Sequence, residues 1–325
     1  MTFALLLSVA VFSRAADPID IPPWFTETFL DFREDVRDAA AGNKRVLVYF
    51  GQDGCPYCKA LMKAGFGNPE IAAFTRGHFV VIALNLWGDR EVTWTDGRRM
   101  SEKQLAAALR VQYTPTLLFL DEKGGVVLRL DGYPPPERLR VALDYVADGE
   151  ERRVAYADYV ARRVAAKRAA ALELEPFIER APFDLSRRDT RPILLLLERG
   201  GCAECSEMHR EGFTRPDVKA LLARFRVVAV DMEGDGKVTA PDGRATTERQ
   251  WARGLGAAYA PTLVFLDPGG GEIFRADGYL RPFHLAATLD YVASGAWRGE
   301  PSLQRYIQKR ADAMRETGQA VELWR

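Results

Sequence analysis

Little in this 325-residue sequence announces a ligand. Its 45 basic and 45 acidic residues leave no net charge, so there is no global field to recruit nucleic acid or an anionic surface. Histidine is scarce, and His78, His209 and His284 show no ligand spacing; His209, one turn after Cys205, reads as an ordinary surface residue. Four cysteines are too few for a fold built on disulfides. No apolar run reaches the ~20 residues that span a bilayer as a helix, so no stable membrane anchor is expected. What is present is 47% apolar residues, enough for real cores, and a length that suggests about two domains at roughly 150 residues each.

The four cysteines fall into two C-x-x-C pairs, Cys55 with Cys58 and Cys202 with Cys205, the second 147 residues after the first. Their surroundings recur with them. Residues 113–125 (YTPTLLFLDEKGG) match 259–271 (YAPTLVFLDPGGG) at nine of thirteen positions. Residues 96–106 recur at 242–252, 131–133 at 277–279, and 143–149 at 289–295. Four ordered matches at a nearly constant shift indicate a tandem duplication of a complete domain, because each unit is large enough to enclose its own core.

Within a unit the pattern is α/β. Residues 46–50 (VLVYF) form a short, β-rich apolar run expected of a strand buried on both faces. A loop follows, then the cysteines open a helix to about residue 66. Strands are expected over 79–86, 116–121 and 126–130, and helices over 102–110 and 137–146. That order makes a mixed central sheet flanked by helices. In the second unit the first strand is expected over 193–197. Charged helical stretches follow each unit, 150–175 and 302–323, with Val154, Val160 and Val164 interleaved among charges as on a helix resting on a domain edge. The boundaries are then 22–149, a linker at 150–180, 181–296, and a C-terminal helix at 297–325. Residues 3–12 (FALLLSVAVF), followed by small residues at Ser13 and Ala15, read as a secretory signal peptide cleaved after Ala15, although no Lys or Arg precedes the run. The mature chain is accordingly expected to be periplasmic or secreted.

A Cys in the first turn of a helix meets unpaired backbone N–H groups that favour its thiolate. Cys58, one turn further on, can then attack a mixed disulfide formed at Cys55. The Thr114-Pro115-Thr116 segment, if Pro115 is cis, would bring backbone groups beside the cysteines to pair with an extended substrate. Ala260-Pro261 is its counterpart in the second unit.

C-x-x-C after the first strand, with Thr-Pro or Ala-Pro about sixty positions later before a hairpin, resembles the thioredoxin superfamily. YFGQDGCPYCKALM and LWGDREVTWTDGRRMSEKQLA are similar to secreted thioredoxin-like proteins of the SoxW type, associated with bacterial sulfur oxidation. The resemblance implies two tandem thioredoxin-like domains and thiol–disulfide exchange with protein thiols and disulfides. In that scheme Cys55 is the nucleophile, Cys58 the resolving residue and Pro115 the cis-proline. Thr114, Pro56, Tyr57, Ala260 and Pro261 contact substrate, no cofactor is needed, and a membrane-bound reductant is a candidate electron source. The Trp that precedes the pair in typical thioredoxins is replaced here by Asp53-Gly54.

The pairs are not chemically equal. In Cys202-Ala203-Glu204-Cys205 the Glu204 carboxylate should raise the Cys202 pKa and make the second couple more reducing. The alternative is a degenerate domain that keeps a structural disulfide. Two rival readings of the whole chain are weaker. A shared zinc site would need ligands from two domains 143 residues apart, and a thioredoxin-like binding or chaperone module would have no need of Cys55. Asp231 to Asp235 reads as a turn rather than a calcium loop. Trp87 and Trp94 flank a short loop, where they either line a partner groove or pack as core and loop cover.

Overall fold

The computed structural model describes residues 18–164, 172, 175–187, 189–318 and 321. The expected signal peptide and its cleavage site lie outside these residues. The first unit runs α1 (Phe32–Ala41), β1 (Arg45–Gly51), α2 (Pro56–Ala60), α3 (Pro69–His78), β2 (Phe79–Asn85), β3 (Glu91–Thr93), β4 (Arg99–Ser101), α4 (Glu102–Ala108), β5 (Thr116–Leu120), β6 (Val126–Asp131) and α5 (Pro136–Ala147). Strand order is β2-β1-β5-β6, with β1 parallel to β2 and the other pairs antiparallel. The second unit repeats this plan after α6 (Tyr156–Val164) and the short β7 (Phe183–Asp184). It contains β8 (Ile193–Glu198), α7 (Ala203–Glu207), α8 (Pro216–Leu222), β9 (Arg226–Asp231), β10 (Lys237–Thr239), β11 (Ala245–Thr247), α9 (Glu248–Gly254), β12 (Thr262–Leu266), β13 (Glu272–Asp277) and α10 (Pro282–Ala293), with α11 (Leu303–Glu316) after it. Its sheet order is β13-β12-β8-β9. The tandem mixed-sheet architecture expected from the sequence is the one observed.

The apolar run at the centre of each sheet serves two cores because side chains alternate across a strand. Leu47 and Tyr49 enter one layer beneath α2, α3 and α5, while Val46, Val48 and Phe50 enter the other beneath α1 and α4. Leu194 and Leu196 on one side, and Ile193, Leu195 and Leu197 on the other, repeat the division in β8. Three elements were not anticipated in the first unit. Helix α1 carries Phe32, Val36 and Ala39 inward and is capped by Asp31, whose side chain accepts from the Arg33 amide. Helix α3 starts at Asn68-Pro69, with the Asn68 side chain accepting from Glu70 and Ile71. The β3–β4 hairpin is the third.

The trailing segments also need revision. Within the stretch expected to be helical over 150–175, the described residues form a 3₁₀ turn (Glu150–Arg152) followed by α6. The C-terminal helix stops at Glu316, ahead of Gly318 at φ +76, a conformation that favours glycine. Both trailing helices are pinned to their own units in the same way. Tyr145 packs at a tilt against Tyr156 and Tyr159, and Tyr291 against Tyr306, with the Tyr145 and Tyr291 hydroxyls each donating to a main-chain carbonyl at 2.7 Å. The trailing helix is therefore part of the repeated unit and not a spacer.

The two units contact one another directly. Edge strands β6 and β13 lie side by side. Tyr113 enters the core of the second unit and Tyr259 that of the first. Helix α11 reaches across to the first unit, where Gln112 accepts from the Leu303 amide at 3.0 Å and Gln52 donates to Gln304 at 2.9 Å. Helix α6 returns the contact through Asp158, 3.2 Å from Arg253.

Candidate active site: two C-x-x-C pairs

The first pair sits where β1 ends. Gly54, at φ +73, turns the chain into the helix start, and Cys55 is the N-cap of α2. Its sulfur accepts from the Cys58 amide at 3.0 Å, as a capping side chain does. The same donor would stabilise a thiolate in the reduced state. The Thr114–Pro115 bond is cis, and the Thr114 hydroxyl and carbonyl both lie 3.4 Å from the Cys55 sulfur. In the disulfide the sulfur has no proton, so only the hydroxyl can donate to it. In the dithiol the carbonyl can accept from the thiol as well.

The second pair repeats this geometry. Cys202 caps α7 and accepts from the Cys205 amide at 3.1 Å, and Ala260–Pro261 is cis. Both pairs are closed as disulfides, with Cα atoms 5.3 Å and 5.2 Å apart. A third cis bond, Ala181–Pro182, lies away from either pair in sequence and was not anticipated.

A thioredoxin-like domain profile matches residues 32–147 and again 183–293, well over half of the chain. The protein belongs to the thioredoxin-like domain family. Among solved structures, a thioredoxin-fold protein from Helicobacter pylori is 25% identical (TM-score 0.33), covering 42% of this chain and 92% of its own. A thioredoxin from Thermus thermophilus is 29% identical (TM-score 0.28), with 38% and 92% covered. A disulphide isomerase from Xylella fastidiosa Temecula1 is 21% identical (TM-score 0.24), with 30% and 69% covered. No curated protein matches the chain.

The surroundings of this thioredoxin-like protein's two pairs differ. Cys55 is only 4% exposed and forms part of the wall of a cleft of about 1320 Å³ between the units. Pro56, Tyr57 and Thr114 line it on one side, and Tyr279, His284 and the α11 residues Gln304, Arg305 and Lys309 on the other. Trp87 stands in this cleft, donating from Nε1 to Gln52 at 2.7 Å, with the Arg305 guanidinium 5.3 Å from its ring. Trp94 instead packs in the core against Phe32. Cys202 is half-buried and lies outside this cleft.

Tyr57 and Glu204 occupy the same position in the two motifs, and both point into the opposite unit. Tyr57 accepts from the Arg281 amide at 3.1 Å, and its ring meets His284 edge-on at 5.0 Å. Burial pushes the Tyr57 pKa up to about 12 and, reinforced by Arg281, pulls His284 down to about 4, so this contact is uncharged near neutrality. Glu204 lies 3.7 Å from the Arg138 guanidinium. Burial raises the Glu204 pKa, and Arg138 opposes the rise. The bare carboxylate expected beside Cys202 therefore has a cation facing it, which sequence spacing could not show because that cation comes from the other domain.

His209 is a correction. It is 5% exposed rather than on the surface, with Nδ1 2.6 Å from Glu175 and Nε2 2.9 Å from Glu198. Burial disfavours its charged form, but the two carboxylates outweigh it and push the pKa up to about 9. The first unit has Met62 and Gly51 at the positions of His209 and Glu198, so this buried charge network is specific to the second domain.

Proposed function

We propose that the protein is a periplasmic or secreted thiol–disulfide oxidoreductase, of the SoxW-like kind, that reduces or rearranges disulfides in other proteins through Cys55 and Cys58. The observation that carries this reading is the convergence on one sulfur of the Cys58 amide at 3.0 Å and the Thr114 hydroxyl at 3.4 Å beside an open cleft. Both donors favour the thiolate that must attack. The Cys55 thiolate attacks one sulfur of a substrate disulfide, forms a mixed disulfide and expels the other as a thiolate. Cys58 loses its proton and attacks the Cys55 sulfur, releasing the second substrate thiolate and closing Cys55–Cys58. Two electrons have then passed to the substrate, and an external dithiol, in this reading from a membrane-bound reductant, restores the enzyme. The compartment assignment rests on the apolar run at residues 3–12.

Reduction of insulin with dithiothreitol as electron source tests the assignment. Cys55→Ser is expected to abolish turnover through the first pair. Full activity in that variant would place turnover elsewhere in the chain, whereas no reduction of insulin by the unmodified protein would leave a binding module as the better description.

A further inference from the structure

The two motifs are docked into the opposite unit by equivalent positions. Tyr57 and Glu204 correspond at a shift of 147, and their partners His284 and Arg138 at a shift of 146, on the first turns of α10 and α5. The first contact is uncharged, and the second is an acid facing a base. Arg138 is 87% buried, and its guanidinium lies 3.5 Å from the centre of the Tyr259 ring. Neither its Nε nor its Nη1 has a hydrogen-bond partner. Glu204 is its one ion-pair partner among the described residues. Tyr259, held by Tyr156 and by the Arg138 carbonyl, leads directly into cis-Pro261. Other charged groups facing this corner are Arg199, which donates to the Ala258 carbonyl at 3.2 Å, Glu207, whose charge acts on Glu204, and Asp277, on whose carboxyl the Arg138 charge acts.

We infer that Arg138 of the first domain is a positioning residue for the second C-x-x-C. By facing Glu204 it cancels the carboxylate that would otherwise oppose the Cys202 thiolate. The first domain thereby sets the potential of the second and removes the reducing bias that Glu204 alone would impose. A stabilised thiolate stabilises the reduced form, which makes a couple more oxidising. Loss of the cation leaves a half-buried carboxylate, one residue before Cys205, without a counter-charge, and the pair shifts toward its disulfide. This inference rests on the second pair being redox-active.

Equilibration of the full-length protein in glutathione buffers tests it, with each cysteine pair quantified separately by alkylation and peptide mass analysis. In this equilibrium Cys202–Cys205 takes up two electrons and two protons as two glutathione thiols become one glutathione disulfide. Arg138→Met keeps the apolar stem over Tyr259 and removes the charge. It is expected to lower the equilibrium constant for reduction of Cys202–Cys205 about tenfold, or ~30 mV for a two-electron couple. Cys55–Cys58 should move little, and Arg138→Lys should recover most of the shift. Glu204→Gln, which leaves Arg138 uncancelled, should shift the pair in the opposite direction. An unchanged constant in Arg138→Met, or a shift of the same sign in Glu204→Gln, overturns the inference while leaving the second pair redox-active. A second pair that dithiothreitol cannot reduce overturns both.

Discussion

The two C-x-x-C sites share a scaffold and differ in what the opposite domain presses against them. At both, the first sulfur caps a helix and receives the amide three residues on, at 3.0 Å and 3.1 Å. At the first, Thr114 adds a hydroxyl beside the sulfur, Tyr57 and His284 meet without charge, and α11 stands across an open cleft. At the second, Ala260 brings no hydroxyl and Glu204 meets Arg138. The geometry on which sulfur chemistry depends has been kept, while residues at the domain interface have diverged. The docked contact in each site joins one motif to α5 or α10 of the other unit, so each motif is completed by the opposite domain.

Several changes would break this contrast. The largest stability effect is expected from His209→Gln, which leaves Glu198, 1% exposed, without its cationic partner. A loss of about 3–5 kcal/mol is typical when one member of a buried ion pair is removed. Chemical denaturation should show it in the second domain, with little change in the first. The pH dependence of the unmodified protein has a fixed sign. The His209 pKa is raised in the folded state to about 9, against about 6.5 in an unfolded chain. Its stabilisation is therefore fully present below about pH 6.5 and disappears as pH rises through 9. Thermal melts across pH 6 to 10 should show the second domain weakening, and His209→Gln should flatten that slope.

Smaller effects should sharpen the comparison at the first site. Tyr57→Phe removes the acceptor of the Arg281 amide and should cost about 1 kcal/mol, read as a lower thermal midpoint. Gln304→Ala removes hydrogen bonds to Gln52 and to the Gln112 carbonyl while leaving both pairs intact. It should alter KM for a protein disulfide in insulin reduction more than kcat, because α11 lines the cleft without touching the reacting sulfurs.

Much of the scaffold was legible because it is written locally. The runs VLVYF and ILLLL are apolar at successive positions, as strands buried on both faces must be, and the repeat marks corresponding elements in each unit. The cysteines of each pair, and Thr114 with Cys55, also stand at positions the fold brings together. Helix α1 had a readable signal in Asp31 followed by Phe32, Val36 and Ala39, but its short, highly charged sequence hid it. What spacing could not reveal is contact between distant residues. Nothing near Glu204 in sequence points to Arg138, and nothing near His209 points to Glu175, 34 residues earlier. Those partners exist only because one unit packs on the other, or because the linker folds back on its own domain.

The most direct measurement is capture of a substrate by Cys58→Ser in the native compartment. Without the resolving thiol, a protein attacked by Cys55 should remain attached to it, and mass analysis should place the mixed disulfide on Cys55. A Cys55→Ser/Cys58→Ser chain should capture nothing at this site. Failure to recover any mixed disulfide on Cys55, under conditions where the variant is folded and reduced, would contradict catalysis through the first site.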